Sequence, residues 1–260
     1  GDLWLLGPKH RLLCGSALVP ANYDRLIEGR AADLVGDGSA IQMGVGALPD
    51  AILRQLRDRR DLGVHSGMIG DGFVDLVEAG IITNARKEID TGVSVAGALV
   101  GTSRLYRSAN RNTTIRICPT NYTHGSAAIA RLSRFVSINS ALEVDLTGQV
   151  NAEAIGNAYS GATGGQLDFA RAAANSRGGR SIIALSATAK GRSASRIVAR
   201  LSGPVTAPHS DADVIVTEFG AAELKGCSLA ERARRMVGIA HPDFRDELDR
   251  AAHAIARQGF

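Results

Sequence analysis

Three stretches of the chain carry groups that could do chemistry at defined spacing. The first is Val136-Ser-Ile-Asn-Ser-Ala-Leu-Glu-Val-Asp-Leu146. Val136, Ile138, Leu142, Val144 and Leu146 recur with the period of a strand, which puts Glu143 and Asp145 together on the other face. That pattern admits two readings. One is a half-buried strand whose carboxylates face water. The other is a carboxylate at a strand end that serves as a nucleophile. A glycosidase pair fits poorly, because residues two apart on one strand project side by side and cannot flank a sugar.

The other two stretches are glycine turns. In Ile41-Gln-Met-Gly-Val-Gly-Ala-Leu-Pro-Asp50 a short strand runs into Gly44-Val45-Gly46, and Pro49 suits the first residue of a helix. Such a turn either makes a tight corner or points free N–H groups at an anion. It is neither GxGxxG nor a phosphate-binding loop, because Pro49 takes the sixth position and no GK[ST] follows. Tyr159-Ser-Gly-Ala-Thr-Gly-Gly-Gln-Leu-Asp-Phe169 repeats the arrangement, with Gly164, Gly165 and Gln166 leading into a helix. Glycines there could equally serve close helix–strand packing.

Other chemistries find no support. There is no GxSxG elbow and no HExxH. Cys14, Cys118 and Cys227 form no CxxC or zinc spacing, so no metal site is expected, and Cys118 and Cys227 read as core residues beside apolar runs. An odd number of dispersed cysteines fits a reducing cytoplasm. His65 and His241 read as turn or helix-end histidines. The net charge of +4 is spread along the chain and aromatics are only 4%, unlike a nucleic-acid-binding stripe. No apolar run approaches the roughly 20 residues of a membrane span, and no signal peptide is visible.

The elements that must position these residues alternate. With 45% hydrophobic residues and 22% charged, the 260-residue chain can bury a core of one large domain. Residues 1–22 read as an irregular leader or the end of a missing domain, and 23–260 as the catalytic unit. Helices are expected at 23–35, Pro49–Leu56, Asp71–Ala79, Ser103–Asn110, Ser126–Arg131 and up to Ala174. Strands are expected at Ser39–Met43, Val93–Ala98, Ile115–Cys118, Val136–Leu146, Ser181–Leu185 and Val214–Thr217. Ser228-Leu-Ala-Glu231 is a capping box opening a helix, and Asp243–Arg257 forms the last one. The pattern is α/β, with a mixed, mostly parallel sheet flanked by helices.

Taken together, the motifs resemble the acetyl-CoA hydrolase/transferase family, whose members include 4-hydroxybutyrate CoA-transferase-like enzymes. The resemblance rests on Gly44-Val-Gly-Ala-Leu-Pro-Asp50, Asp61-Leu-Gly-Val-His-Ser66, Asp71-Gly-Phe-Val-Asp75, Ser137–Asn151 with its Glu-Val-Asp-Leu-Thr-Gly-Gln-Val block, Gly164-Gly-Gln-Leu-Asp168, Val216-Thr-Glu-Phe-Gly220 and Ile239–Leu248, in family order.

It implies a fold of the NagB/RpiA/CoA-transferase type. It also implies transfer of CoA between a short-chain acyl-CoA and a carboxylic acid, or acyl-CoA hydrolysis by the same residues. By resemblance Glu143 is the catalytic glutamate that passes through an anhydride and a glutamyl-CoA thioester. Asp145 orients the loop after it. Gly44, Val45, Gly46 and Gly220 serve the substrate loop and oxyanion, and Gly164, Gly165, Gln166, Thr188 and Lys190 lie by CoA. No cofactor beyond CoA is implied. Neither a nucleic acid nor a membrane is expected as partner.

Two departures stand out. The family's His-Ser-Glu-Met reads His65-Ser-Gly-Met68 here, and the Ser before Asp71 is Gly70. Family chains also carry an N-terminal domain, so a homo-oligomer, a partner chain holding that half, or a non-catalytic role is expected of a chain that starts near the join.

Overall fold

The structure is a computed structural model, and it describes residues 3–5, 11–13, 30–44, 46–189 and 193–257. In chain order, β1 (Leu3–Leu5) and β2 (Arg11–Leu13) pair antiparallel within the expected leader. Next come α1 (Arg30–Asp33), β3 (Ala40–Met43), α2 (Ala47–Gln55), β4 (Gly63–Ile69), α3 (Asp71–Glu78), β5 (Ser94–Leu99), α4 (Ser103–Ala109) and β6 (Ile115–Ile117). They are followed by α5 (Thr120–Thr123), α6 (Ser126–Ile129), β7 (Phe135–Ser140), β8 (Glu143–Asp145), β9 (Val150–Asn151), β10 (Ala154–Ile155), β11 (Ala158–Tyr159) and α7 (Gln166–Asn175). The chain continues through β12 (Arg180–Ala184), β13 (Ile197–Val198), β14 (Val214–Thr217), β15 (Gly220–Glu223), α8 (Leu229–Gly238) and α9 (Pro242–Arg257).

The principal sheet has the order β15-β14-β12-β7-β3-β4-β5-β6. Every adjacent pair is parallel except β14 with β15. The fold is therefore the mixed, mostly parallel α/β sheet expected from the sequence. From β3 the chain steps outward through β4, β5 and β6. It then returns to β7 on the other side of β3 and steps away through β12 and β14. Right-handed crossovers in opposite directions put their helices on opposite faces. Accordingly Ile52 of α2 and Phe73 of α3 pack with Ile41, Ile138 and Val216 on one face. Phe169 and Ala173 of α7 pack with Ala40 and Phe135 on the other. Successive residues divide between the faces. Ile182 and Ala184 join the first core, whereas Ile183 and Leu185 join one formed with Met236 and Leu248 of α8 and α9.

This reversal between β3 and β7 is a topological switch point. Loops leaving the carboxyl ends of strands diverge there and open a crevice.

One expected element is corrected. Val136–Leu146 is not a single strand. β7 ends at Ser140, the chain turns at Ala141-Leu142, and β8 enters a separate three-stranded sheet, parallel to β13 and antiparallel to β9. Glu143 and Asp145 are both buried, 7% and 2% exposed, so neither faces water. Pro49 also lies two residues inside α2, whose first residue is Ala47. The capping box on α8 is present, with Glu231 N donating to Ser228 Oγ and Ser228 N to the Glu231 carboxylate. Most of the expected helix 23–35 lies outside the described residues.

Candidate active site

A cavity of about 790 Å³ occupies the crevice at the switch point. Gln42, Met43 and Gly44 bring the end of β3 to it, Asn139 the end of β7, Gly67 and Met68 the end of β4, and Gly97 that of β5. Gly164, Gly165 and Gln166 face it from the start of α7, and His124 from the end of α5. The structure thus gathers both sequence-predicted glycine turns on one space, although they lie 120 residues apart in the chain.

Local chemistry explains the shape. Gly164 sits at φ +55°, a left-handed conformation that favours glycine. At Gly165 a β-carbon would come within 2.3 Å of the His124 ring, so only glycine lets α7 begin this close to α5. The first turn of α7 forms part of the cavity wall and carries the acidic Asp168 there; the first N–H groups of a helix have no partner within it. Gln166 is 8% exposed, and its Nε2 donates to Ser140 O at 3.2 Å. Among the described residues its Oε1 has no hydrogen-bond partner. The His124 ring packs against Phe169, with centroids 4.5 Å apart and planes tilted by 42°.

A second chamber of about 280 Å³ adjoins the first and shares Met43, Gly44 and Met68 with it. Ile41, Leu53, Ile69 and Phe73 make it largely apolar, while Gly46, Asp50 and Asp71 add polar groups. Burial pushes the Asp50 carboxyl above the usual carboxylate range. Arg54 opposes this, and Asp71 and Asp75 add to it. Asp71 is held by Thr102, whose N and Oγ1 each donate to its carboxylate at 2.8 Å.

The remaining expected residues lie elsewhere. Glu143 is not among the residues that line either cavity. Its Oε1 accepts from Asn151 Nδ2 at 2.9 Å, Ser202 N at 2.6 Å, Ser202 Oγ at 2.9 Å and Gly203 N at 3.2 Å. Its Oε2 accepts from Ser202 Oγ at 3.0 Å. The carboxylate thus ties β8 to β9 and to the turn at 202–203. Asp145 closes the loop that follows, accepting from Thr147 N and Oγ1 and from Gln149 N and Nε2. Gly220 opens β15, pairs with Thr217 and packs by Ile239, away from both cavity walls. Thr188 bridges to Ser195 in the loop after β12 and lines neither cavity. Val45 and Lys190 lie outside the described residues. Among the described residues no cluster of three His, Cys, Asp or Glu could hold a metal, and no helix is long and apolar enough to cross a membrane.

His65 is a further correction. It sits inside β4, fully buried, rather than at a turn. Among the described residues neither ring nitrogen has a hydrogen-bond partner, although the backbone at Tyr122 and Thr123 favours protonation. Burial, then the charge on Lys87, lowers its pKa to about 4. Lys87 Nζ, itself buried, donates to Val64 O at 2.8 Å and Val93 O at 2.7 Å, and burial lowers its pKa to about 8. Cys118 and Cys227 are partly exposed free thiols rather than core residues. His241 does sit at a helix end, its Nδ1 accepting from Asp243 N.

Comparison with known proteins decides the family. The acetyl-CoA hydrolase/transferase C-terminal domain matches residues 101–252. The chain belongs to the acetyl-CoA hydrolase/transferase family. It is 42% identical to succinyl-CoA:cyclohexane-1-carboxylate CoA transferase of Geobacter metallireducens over 90% of this chain and 54% of that protein. It is also 42% identical to 4-hydroxybutyrate coenzyme A transferase of Clostridium kluyveri, over 87% of this chain and 53% of the relative. The crystal structure of RipA from Yersinia pestis superposes with a TM-score of 0.86 at 46% identity, covering 93% of this chain and 54% of RipA. The chain therefore spans about half the length of the relatives it matches.

Two positions where the sequence departs from the expected pattern, Gly67 and Gly70, fall on cavity walls. Gly67 lines the large cavity, where a β-carbon would meet His124 Cε1 at 3.0 Å and Nε2 at 3.1 Å. Gly70 lines the small chamber, where a β-carbon would lie 3.8 Å from Asp50 Oδ1. Sequence reading did not single out His124, Asn139 or Gln42. Gln42 and Asn139 lie inside stretches read above but carried no role there, His124 lies in none of them, and only the fold brings the three together.

Proposed function

We propose that this chain forms the acyl-CoA-binding part of a CoA-transferase, moving CoA between a short-chain acyl-CoA and a carboxylic acid. The observation that carries the reading is the single cavity shared by the Gly44 and Gly164–Gln166 turns. A thioester there has backbone donors and the α7 N-terminus near its carbonyl, and an oxyanion-type donor of this kind contributes about 2.7–4 kcal/mol to lowering a barrier. The names of the two transferase relatives favour transfer to a carboxylate.

Transfer needs a carboxylate to attack the thioester carbon. A mixed anhydride forms as CoA thiolate leaves, and the thiolate then attacks the acceptor's carbonyl and releases the donor as a free acid. In this reading Glu143, fully engaged by Asn151, Ser202 and Gly203, belongs to the scaffold. The acceptor acid itself makes the attack in the space beside Gly67. The small chamber takes the acyl tail. Substrates and partners complete the proposal: CoA is a substrate rather than a resident cofactor, the setting is a reducing cytoplasm, and the other half of the relatives' length is supplied by a further segment, a partner chain or an oligomer.

Titration calorimetry with butyryl-CoA, beside chromatographic detection of acetyl-CoA formed from butyryl-CoA and acetate by the full-length protein, tests it. Saturable binding with product formation is the expected result. Absence of acyl-CoA binding would sink the reading.

A further inference from the structure

The small chamber is apolar on most sides and acidic on one. Ile41, Leu53, Val64, Ile69, Phe73 and Ile82 supply apolar wall. Among the described residues that line it, the only charged ones are Asp50 and Asp71, and none is Lys, Arg or His. Two cations belong to neighbouring elements, and neither lines the chamber. Arg104 is bound to Asp75 at 2.5 Å and to Glu78 at 2.6 Å. Arg54 lies one turn along α2 from Asp50 and is exposed.

The amino end of α3 also meets this space, at Gly70 and Asp71. A helix start carries a partial positive charge, about half an elementary charge, and would by itself favour an anion. Two carboxylates already stand against it. Asp71 is the first residue of α3 and is fixed by Thr102 N and Oγ1. Asp50 reaches across from α2. Its Oδ1 lies 3.8 Å from the place of a β-carbon at Gly70 and 3.5 Å from one at Gly72. Two full negative charges outweigh the partial positive one. The Asp50 carboxyl itself reports the strain of this setting. Burial lifts it above its ordinary range, and Asp71 and Asp75 add to the lift against the opposing Arg54.

We propose that the chamber is selective for short acyl groups with uncharged tails, and that Asp50 is the specificity-determining residue that turns away a tail ending in a second carboxylate. The inference rests on the reading above that this chamber takes the acyl tail. A butyryl tail brings only methylene and methyl groups against Ile69 and Phe73. A succinyl tail brings a carboxylate out of water into an apolar space, where it meets like charges and no cation. Discrimination then comes from a repulsive element built into the wall, with no need for a better fit to the favoured tail.

The test compares kcat/KM of the full-length protein, with acetate as acceptor, for butyryl-CoA, succinyl-CoA and the terminal methyl ester of succinyl-CoA. The ester keeps the length of the succinyl tail and removes its charge. Succinyl-CoA is expected to be used about 100-fold less efficiently than the ester, the size of a like-charge contact in a partly buried site. Asp50→Asn keeps the shape of the side chain and should raise the ratio of succinyl-CoA to butyryl-CoA use by about tenfold. Asp71→Asn should raise it less, because Thr102 already holds that carboxylate. Should the Asp50 variant fold poorly, the wild-type comparison of acid with ester still decides. Use of succinyl-CoA within about threefold of its ester by the wild type overturns the proposal. So does a folded Asp50→Asn whose ratio does not move. Turnover of none of the three thioesters would instead refute the acyl-CoA reading on which the proposal stands.

Discussion

The side-chain amides of Gln42 and Asn139 clasp each other across neighbouring strands, Gln42 Nε2 donating to Asn139 Oδ1 at 3.1 Å and Asn139 Nδ2 to Gln42 Oε1 at 3.0 Å. Both residues line the large cavity. The clasp fixes the ends of β3 and β7 where the sheet reverses direction. Asn139→Ala leaves the buried Gln42 amide unpartnered, at an expected cost of about 1–3 kcal/mol. Urea unfolding monitored by circular dichroism measures the loss, and acyl-CoA affinity should weaken with it.

In the proposed transfer, attack by the acceptor acid requires both substrates together. Initial rates against both substrates should therefore give intersecting lines, where a glutamyl-enzyme would give the parallel lines of a ping-pong mechanism. Borohydride reduction after acyl-CoA treatment should leave Glu143 unmodified. A reduced Glu143 found by peptide mass spectrometry would overturn this assignment.

Glu143→Ala strips one buried acceptor from four donor groups and should cost about 3 kcal/mol of stability. For a chain of this size that is a fall in Tm of roughly 6–12 °C. Calorimetry checks it, and Glu143→Gln should recover part of the loss.

His65 gives the protein an acid limit. The folded state keeps the ring neutral down to a pKa of about 4, while the unfolded chain takes a proton near the ordinary 6.5. The unfolded state binds more protons between these values. Stability is therefore complete above about pH 6.5 and falls as pH drops towards 4, by about 3 kcal/mol in all. Urea midpoints across this range should flatten in His65→Phe.

Lys87 acts in the same sense at the alkaline end. Its folded pKa is about 8 against 10.5 when unfolded, so stability should rise as pH increases between them. A neutral amine still has two N–H groups for Val64 O and Val93 O. Lys87→Met should abolish this rise. Because the Lys87 charge also depresses His65, the same variant should move the His65 titration upward in a proton NMR experiment.

Much of the scaffold was legible because its signals are local. The Ser228–Glu231 box, the β12 and β14 runs and the helices after the glycine turns each follow from spacing within about ten residues. β4 was not legible. Gly63, His65, Ser66 and Gly67 dilute its apolar alternation, and only neighbours on both sides make it a central strand. The break at Ala141-Leu142 was hidden for the converse reason. Alternation continues unbroken through a turn that carries β8 into a second sheet, so periodicity cannot tell one long strand from two. The glycine turns were found by composition, but their meeting at one cavity, and the presence of His124 between them, depend on strand order.

Met68 stands between the two hollows, 38% exposed and lining both. An unbranched thioether rotates at little energetic expense. A change of rotamer would enlarge one compartment while shrinking the other, as a sliding partition does. In the proposed function, tail length on one side and room for an incoming reactant on the other would be coupled through one rotamer.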